Sequence, residues 1–223
     1  MDESLYAFPT TARPWLRGLM VSSVDGSAED ADGLSGSLGG EGDSDVFALL
    51  RSLADVVLVS AGTARAEGYG PIDGGTLVLV SRSLDVPASL RTDGVVILTT
   101  GDADPGRAAS LRRDGVQVWC TGAEEIDWAQ ALDLFAEQGW TRVLCEGGPS
   151  LLGTLAEQDL IDDLCLTVAP TLMAGPGRRI ATSERPVTHA LRLVHAVEHR
   201  GDLLTRWVRD RAPAPEAEDP ARR

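Results

Sequence analysis

The stretch from Arg142 to Leu152 constrains the fold of this chain more than any other part of the sequence. It begins with an apolar run, Val143 to Cys145, that is typical of a strand buried on both faces. The pair Gly147-Gly148 then permits a sharp turn, and Pro149 has the fixed φ of a first helical residue. A helix predicted over 150–158 would direct free amides and its positive dipole end toward that turn. The stretch predicts an anion site or, at about equal odds, only a tight connection.

A second turn of similar design lies earlier in the chain. The buried strand predicted over 55–60 runs directly into Gly62 and Thr63, and Thr63 is expected to cap the short helix that follows. Arg65 adds a positive charge, and Gly68 is expected to end that helix early. Two such turns on one sheet predict contacts to both ends of a pyrophosphate group.

Two further segments carry polar groups just after predicted strands. Strand 76–80 is followed by Ser81, Arg82 and Ser83, a guanidinium and two hydroxyls that suit a phosphomonoester. Taken alone, the segment is better explained by an ordinary solvent-exposed arginine after a strand than by a phosphate site.

The first predicted strand, Leu16 to Ser22, leads into Ser23 and Asp25 at the end where open α/β sheets place ligand contacts. The pair Asp25-Gly26 is also a common turn, and on the residues alone we slightly favour the turn.

The remaining chain alternates predicted strands and helices. The order predicts an α/β fold, with a mainly parallel central sheet flanked by helices and an antiparallel last strand at a sheet edge. A helix is expected to be capped by Asp43-Ser44-Asp45. The further predicted strands are 95–100, 116–120, 141–145, 164–169 and 203–208, and the further predicted helices are 104–113 and 127–138.

The sequence predicts one domain with irregular ends. Residues 1–14 are expected to form an irregular lead-in and 15–210 the domain itself. The acidic, proline-rich segment 211–223 is expected to be a disordered tail. The Gly-, Ser- and Asp-rich segment 27–44 is long enough for a lid or a binding loop.

Composition excludes several classes of partner. The net charge is −14, so neither nucleic acid nor an anionic membrane is an expected partner. The sequence shows no signal-peptide pattern and no apolar run near the length of a membrane span. Cys120, Cys145 and Cys165 adjoin apolar runs, which predicts buried free thiols and a cytoplasmic location. The three histidines are expected at the surface, and no metal site is predicted.

Three segments together resemble the RibD C-terminal family, the reductase domain of the bacterial riboflavin-pathway deaminase/reductase. The resemblance spans roughly residues 15–210 and implies the dihydrofolate reductase fold. No deaminase-type zinc ligands precede it, so a stand-alone reductase is expected, similar to actinobacterial members, some of which are linked to folate reduction. The segments are Val21-Ser22-Ser23-Val24-Asp25-Gly26, residues 54–69 with Ala61-Gly62-Thr63-Ala64-Arg65, and Glu146-Gly147-Gly148-Pro149-Ser150-Leu151-Leu152.

The resemblance implies NADPH as cofactor and a homodimer as the assembly. It assigns the pyrophosphate region to both glycine turns and the adenosine 2′-phosphate to the segment after strand 76–80. The residues that match these cofactor positions are Gly62, Thr63, Arg65, Ser81, Arg82, Ser83, Gly147, Gly148, Pro149 and Ser150.

On the substrate side, the resemblance implies Asp25 and Glu146 as catalytic residues, and Ser23, Asp25 and Glu67 as substrate contacts. Hydride addition to a carbon–nitrogen double bond builds negative charge on nitrogen, so a proton has to be supplied. A carboxyl group in a partly buried cleft with a raised pKa can supply it. We prefer Asp25 as the group that orients the substrate. Three roles stay open for Glu146: it could donate the proton, orient the substrate, or interact with the helix dipole.

Two departures from the family pattern concern the substrate. The family usually carries a lysine on the first strand, where this chain has only Arg17, which aligns poorly. The family also has an arginine for the sugar phosphate after the Gly-Thr turn, whereas Ile72 to Gly75 contains no cation. The family default is reduction of 5-amino-6-(5-phosphoribosylamino)uracil, and the departures favour a dihydrofolate or pterin reductase. A protein that binds NADP without turnover is the alternative from another class.

Overall fold

The computed structural model describes residues 2–211 of the chain, which form one nine-stranded sheet with helices on both faces. All the predicted helices and strands are present, and one further strand, β8, was not predicted. The strands are β1 (Trp15–Ser23), β2 (Val56–Ser60), β3 (Thr76–Val80), β4 (Val95–Thr99), β5 (Gln117–Cys120), β6 (Arg142–Cys145), β7 (Asp163–Ala169), β8 (Leu191–His199) and β9 (Asp202–Arg209). The helices are α1 (Glu41–Leu53), α2 (Ala61–Ala66), α3 (Pro105–Arg113), α4 (Trp128–Glu137) and α5 (Pro149–Glu157), with 3₁₀ turns at Glu3–Tyr6 and Ala88–Leu90.

The strand order places the ends of β1, β2 and β6 side by side. The order is β5-β4-β3-β2-β6-β1-β7-β9-β8, and all pairings are parallel except β7 with β9 and β8 with β9. This confirms the predicted α/β fold with a mainly parallel sheet. The chain leaves β1 toward β2 on one side and reaches β7 on the other. In open sheets such a switch point forms a crevice at the carboxyl ends of the strands.

The core lies on both faces of the sheet, because alternate residues of each strand point to opposite sides. Val57 and Val59 of β2 pack with α1 and α3, whereas Val56 and Leu58 pack with α4 and α5. All four of these side chains are buried. The near-continuous apolar runs that predicted buried strands therefore reflect a sheet covered on both faces.

The strand β8 was missed, because most of its side chains on both faces are exposed and its sequence carries no hydrophobic alternation. The predicted last strand, 203–208, is β9. The prediction that it lies at the edge is wrong, because β8 pairs with its outer side.

Two predictions about single residue types also need correction. Cys145 and Cys165 are buried as predicted, but Cys120 is exposed, because it ends the edge strand β5. The expected surface position is wrong for His195, whose two ring nitrogens are buried without a hydrogen-bond partner among the described residues. Its ring stands edge-on to Tyr6, with 4.9 Å between the ring centroids.

A buried charge cluster joins β1, β7 and β9 at their far end from the crevice. Arg17 and Arg206 both form ion pairs with Asp163, at 2.6 and 2.8 Å. Arg17 also donates to the carbonyl of Tyr6, so the lead-in before β1 is anchored to the sheet.

The end of the described chain is anchored too, since Arg211 forms an ion pair with Asp162 at 2.5 Å. The rest of the predicted tail, 212–223, lies outside the described residues. Within residues 2–211, no helix has both the length and the apolar character needed to cross a bilayer.

Candidate active site

A cavity of about 700 Å³ opens at the carboxyl ends of β1, β2 and β6. Hydrogen bonds hold the ends of β2 and β6 together: the Ser60 amide donates to the Gly147 carbonyl at 2.8 Å, and the Glu146 amide donates to the Leu58 carbonyl at 2.9 Å. The structure brings seven of the predicted site residues into the lining of this cavity: Gly62, Thr63, Glu67, Glu146, Gly148, Pro149 and Ser150.

The glycine turn before α5 has no room for side chains. A β-carbon on Gly148 would collide with the Thr63 hydroxyl, and one on Gly147, whose φ is +78°, would lie 2.9 Å from the Met20 sulfur. Gly148 is the N-cap of α5, and no side chain caps that helix end. The turn therefore brings its backbone close to the cavity and leaves a helix N-terminus open to it, which suits an anionic group.

The turn before α2 is built differently from the prediction. Ser60, not Thr63, is the N-cap, and its hydroxyl accepts a hydrogen bond from the Thr63 amide at 3.1 Å. The same hydroxyl contacts Thr63 Oγ1 at 2.9 Å. Gly62 and Thr63 line the cavity, whereas Arg65 forms an exposed ion pair with Asp85 at 3.0 Å and is not part of the lining. This turn shapes the cavity wall, but one of the amides at the helix start, that of Thr63, already has a partner.

The segment Ser81 to Ser83 lies outside the main cavity, at the end of the neighbouring strand β3. Ser81 is buried and Arg82 is exposed. Ser83 lines a separate cavity of about 600 Å³, and its carbonyl accepts a hydrogen bond from Arg107 at 2.9 Å. The segment shares the sheet edge with the main cavity, as a ligand spanning several strand ends would require.

Glu146 is held by two residues that the sequence analysis missed. Arg51 of α1 donates to both of its carboxylate oxygens, at 2.7 and 2.8 Å, and the Tyr69 hydroxyl donates at 2.8 Å. Arg51 also lies over the rings of Phe47 and Tyr69, at 4.2 and 5.2 Å from their centroids. Burial, followed by the nearby Glu146 charge, raises the pKa of Tyr69. Three donors thus fix the carboxylate in one orientation.

A carboxyl group that was not predicted for the site also lines the cavity. Asp43, in the first turn of α1, is half-buried. Burial raises the pKa of Asp43, a hydrogen bond with Thr167 opposes the rise, and the Asp202 charge adds to it. The predicted cap over residues 43–45 is wrong, because α1 begins earlier, with Gly40 as N-cap. An acidic residue in the first turn after a long loop was the available signal, and it was interpreted as a cap.

Asp25 lies outside the cavity lining and is exposed. Its carboxylate accepts hydrogen bonds from the Ser23 hydroxyl at 2.6 Å and from the amides of Met173 and Ala174 at 3.1 and 2.8 Å. These bonds, that of Ser23 foremost, lower the pKa of Asp25 to about 2. In this structure the group anchors the segment after β7, and it is ionised at neutral pH.

The segment between β1 and α1 lies over the cavity and is fastened at two points. Glu67 accepts hydrogen bonds from the amide and the hydroxyl of Ser35, at 2.7 and 2.8 Å. Glu29 forms an ion pair with Arg178 at 2.7 Å. These four residues all line the cavity, so the predicted binding loop is part of its wall.

Acidic groups dominate the cavity lining. Its carboxylates are Glu29, Asp43, Glu67 and Glu146, and the one arginine in the described lining is Arg178, which is paired with Glu29. Within residues 2–211, no group of three or more His, Cys, Asp or Glu residues is placed to hold a metal ion.

The fold and the crevice define the class of protein: an α/β protein of dihydrofolate reductase-like architecture with a ligand cavity at the carboxyl ends of its strands. The chain belongs to the RibD C-terminal domain family, whose sequence profile matches residues 14–205. Both the predicted family and the predicted fold are confirmed. No curated protein is significantly similar to this chain in sequence.

Three solved structures show the range of the similarity. A pyrimidine reductase-like protein from Corynebacterium diphtheriae is 25% identical, with a TM-score of 0.79 over 94% of this chain and 98% of that one. The riboflavin biosynthesis reductase Rib7 of Saccharomyces cerevisiae is 14% identical, with a TM-score of 0.69 over 93% and 94% of the two chains. Dihydrofolate reductase from Enterococcus faecalis, complexed with NADP(H), is 13% identical, with a TM-score of 0.52 over 88% and 97%.

The hydrogen bonds to Asp25 predict its titration. Its folded-state pKa of about 2 lies below the ordinary aspartate value. The ionised Asp25 therefore stabilises the folded protein above about pH 4, and this stabilisation is lost as the pH falls through 2. Carboxyl ¹³C NMR should show Asp25 titrating near pH 2. In the Ser23→Ala variant the midpoint should move up toward the ordinary value. A midpoint near 4 in the unmodified protein would contradict this arrangement.

Proposed function

We propose that this protein is an NADPH-dependent reductase of a pyrimidine-type substrate, and that the cavity at the ends of β1, β2 and β6 is its active site. The observation that carries the proposal is one cavity lined both by the uncapped start of α5 and by four carboxyl groups, in a chain of the RibD C-terminal domain family. A cofactor phosphate suits the first feature, and a nitrogen-rich ring suits the second.

The turn before α5 fits the cofactor that we propose. Gly148 lines the cavity, neither Gly147 nor Gly148 has space for a β-carbon, and no side chain caps the helix end that follows. Ser150 would add a hydroxyl for the pyrophosphate, with Gly62 and Thr63 opposite. Bound NADPH supplies the hydride, and the chain holds the two reactants together and keeps water out.

Two alternative substrates are each supported by a different observation. The family resemblance supports reduction of 5-amino-6-(5-phosphoribosylamino)uracil. The cavity lining supports a dihydrofolate or pterin substrate instead, because its arginine is already paired with Glu29 and the other charged groups are carboxylates. A sugar phosphate would meet repulsion there, whereas an amino-oxo ring gains hydrogen bonds to a carboxylate.

The substrate contacts inferred from the resemblance remain proposals. Glu67 and Glu146 have the support of their places in the lining. Ser23 and Asp25 are bonded to each other beside the cavity, and a role for them requires the segment after β7 to contact the substrate.

A homodimer and a cytoplasmic location complete the proposal. Free cysteines support a reducing compartment.

The edge strand β8 and the neighbouring β9 expose apolar side chains, which supports a second copy as the partner. The largest of these are Leu191, Leu193, Val194, Val197 and Leu203. Sedimentation equilibrium tests the assembly: a monomer at micromolar concentration would contradict it.

Arg82 tests the cofactor assignment. Arg82→Ala should weaken NADPH binding about tenfold or more, because one charge-assisted contact to the 2′-phosphate is lost, and should leave NADH binding unchanged. Fluorescence titration with both nucleotides measures this. Arg113→Ala, which removes another exposed arginine, is the control. Equal losses of NADPH and NADH binding in Arg82→Ala would show that the 2′-phosphate does not bind at Arg82.

The proposed activity is tested by NADPH oxidation with two substrates in parallel. Dihydrofolate should be reduced faster than the phosphoribosylamino-pyrimidine, since the described cavity lining carries no unpaired cation. Faster turnover of the phosphorylated substrate would support the family default instead. Tight NADPH binding without turnover of either substrate would contradict the reductase proposal.

A further inference from the structure

The start of α1 packs against the turn between β8 and β9. The carboxylate of Asp202, the first residue of β9, accepts hydrogen bonds from the amides of Gly40 and Asp43, at 3.1 and 3.0 Å. Only 2% of Asp202 is exposed. A side chain from the far end of the sequence therefore caps this helix, in place of a residue of its own loop.

The contact between helix and turn is too close for side chains on the helix. A β-carbon on Gly42 would collide with the His199 carbonyl and lie 3.0 Å from the Asp202 carboxylate. One on Gly40 would lie 2.9 Å from the same carboxylate. The backbone just before Asp43 therefore packs directly against the turn, which fixes the position of Asp43.

Asp43 differs from the other carboxyl groups of the cavity in its partners. Glu146 is held by Arg51, Glu67 by Ser35, and Glu29 by Arg178. Asp43 has no ion-pair partner among residues 2–211, and the nearby Thr167 hydroxyl only partly opposes the rise in its pKa. It is the lining carboxyl that remains available to a substrate.

The charges around Asp43 are mostly negative. Asp202 faces it from the β8–β9 turn, and its charge, added to burial, raises the pKa of Asp43. Thr167 is its neighbour on β7. Other charged groups at the start of α1, on the β8–β9 turn and around the cavity include Glu41 with Arg200, Asp45 with His199, Glu29 with Arg178, Glu146 with Arg51, and Glu67.

We propose that Asp43 is the carboxyl group that contacts the substrate and gives a proton to the nitrogen of the carbon–nitrogen double bond being reduced, and that Asp202 is the positioning residue that holds Asp43 in place. The inference rests on the proposed reductase function. In the step, the carbon–nitrogen double bond accepts the hydride at carbon, and the nitrogen takes the proton from the Asp43 carboxyl. Asp43 is left as a carboxylate, which then regains a proton from water. Asp202 takes no part in the transfer and keeps Asp43 protonated to a higher pH.

Replacing Asp43 tests its contact with the reaction. Asp43→Asn keeps the size of the side chain and its hydrogen bonding but cannot give up a proton. We expect kcat to fall by about 100-fold or more, with NADPH binding unchanged. Unchanged kcat would overturn the proposal. Asp45→Asn, on the same helical turn but exposed, is the matched control and should leave kcat within about twofold of the parent.

Replacing Asp202 tests positioning by charge. Asp202→Asn keeps an oxygen for the two amides and removes the negative charge, so the pKa of Asp43 should fall. The decline of kcat/KM with rising pH should then begin at lower pH, while the low-pH plateau is retained. Carboxyl ¹³C NMR of the protein without cofactor should show the same downward shift in the midpoint of Asp43. An unmoved NMR midpoint with an intact fold would overturn the role of Asp202.

These outcomes separate the inference from the reductase function itself. If the parent protein reduces dihydrofolate or the phosphoribosylamino-pyrimidine and Asp43→Asn does so equally well, the function stands and the inference fails. If the parent protein reduces neither, the proposed function fails. The NMR titration still decides whether Asp202 raises the pKa of Asp43.

Discussion

The Asp163 carboxylate is shared by two arginines from different strands, and the join between the parallel and antiparallel parts of the sheet depends on it. Arg17 of β1 and Arg206 of β9 each donate two hydrogen bonds to it. Removing one member of a buried ion pair costs about 3–5 kcal/mol. That is a large share of the roughly 5–15 kcal/mol that stabilises a domain. The cluster therefore holds β7 between β1 and β9.

The geometry of the cavity depends on that join. Because β9 runs antiparallel to β7, its first residue, Asp202, lies near the carboxyl end of β7, next to the cavity. Asp202 caps α1 and so positions Asp43. Arg51, two turns further along the same helix, forms an ion pair with Glu146 and orients its carboxylate. One helix thus sets the position of two carboxyl groups, and the turn before α5, with Gly148, lines the same cavity.

Local sequence signals predicted the parts of this arrangement that are local. Buried apolar runs and the Gly147-Gly148 turn are such signals, and the structure has them where they were expected. The partners of Glu146 and the cap of α1 depend on contacts between distant parts of the chain, which no local pattern carries. Asp43 was interpreted as a cap for the same reason, whereas the substrate contact of Asp25 came from the family resemblance and stays a prediction. The β8 strand was missed because it lacks a buried face.

We propose that one cavity holds the cofactor between the two glycine turns and the carboxyl groups. The most direct test is the change of backbone amide NMR signals when NADP⁺ is added. The account predicts that the largest shifts fall at residues 60–67 and 146–152, with smaller ones at Ser81 to Ser83. Shifts confined to the separate cavity beside Arg107, or no shifts at saturating nucleotide, would contradict it.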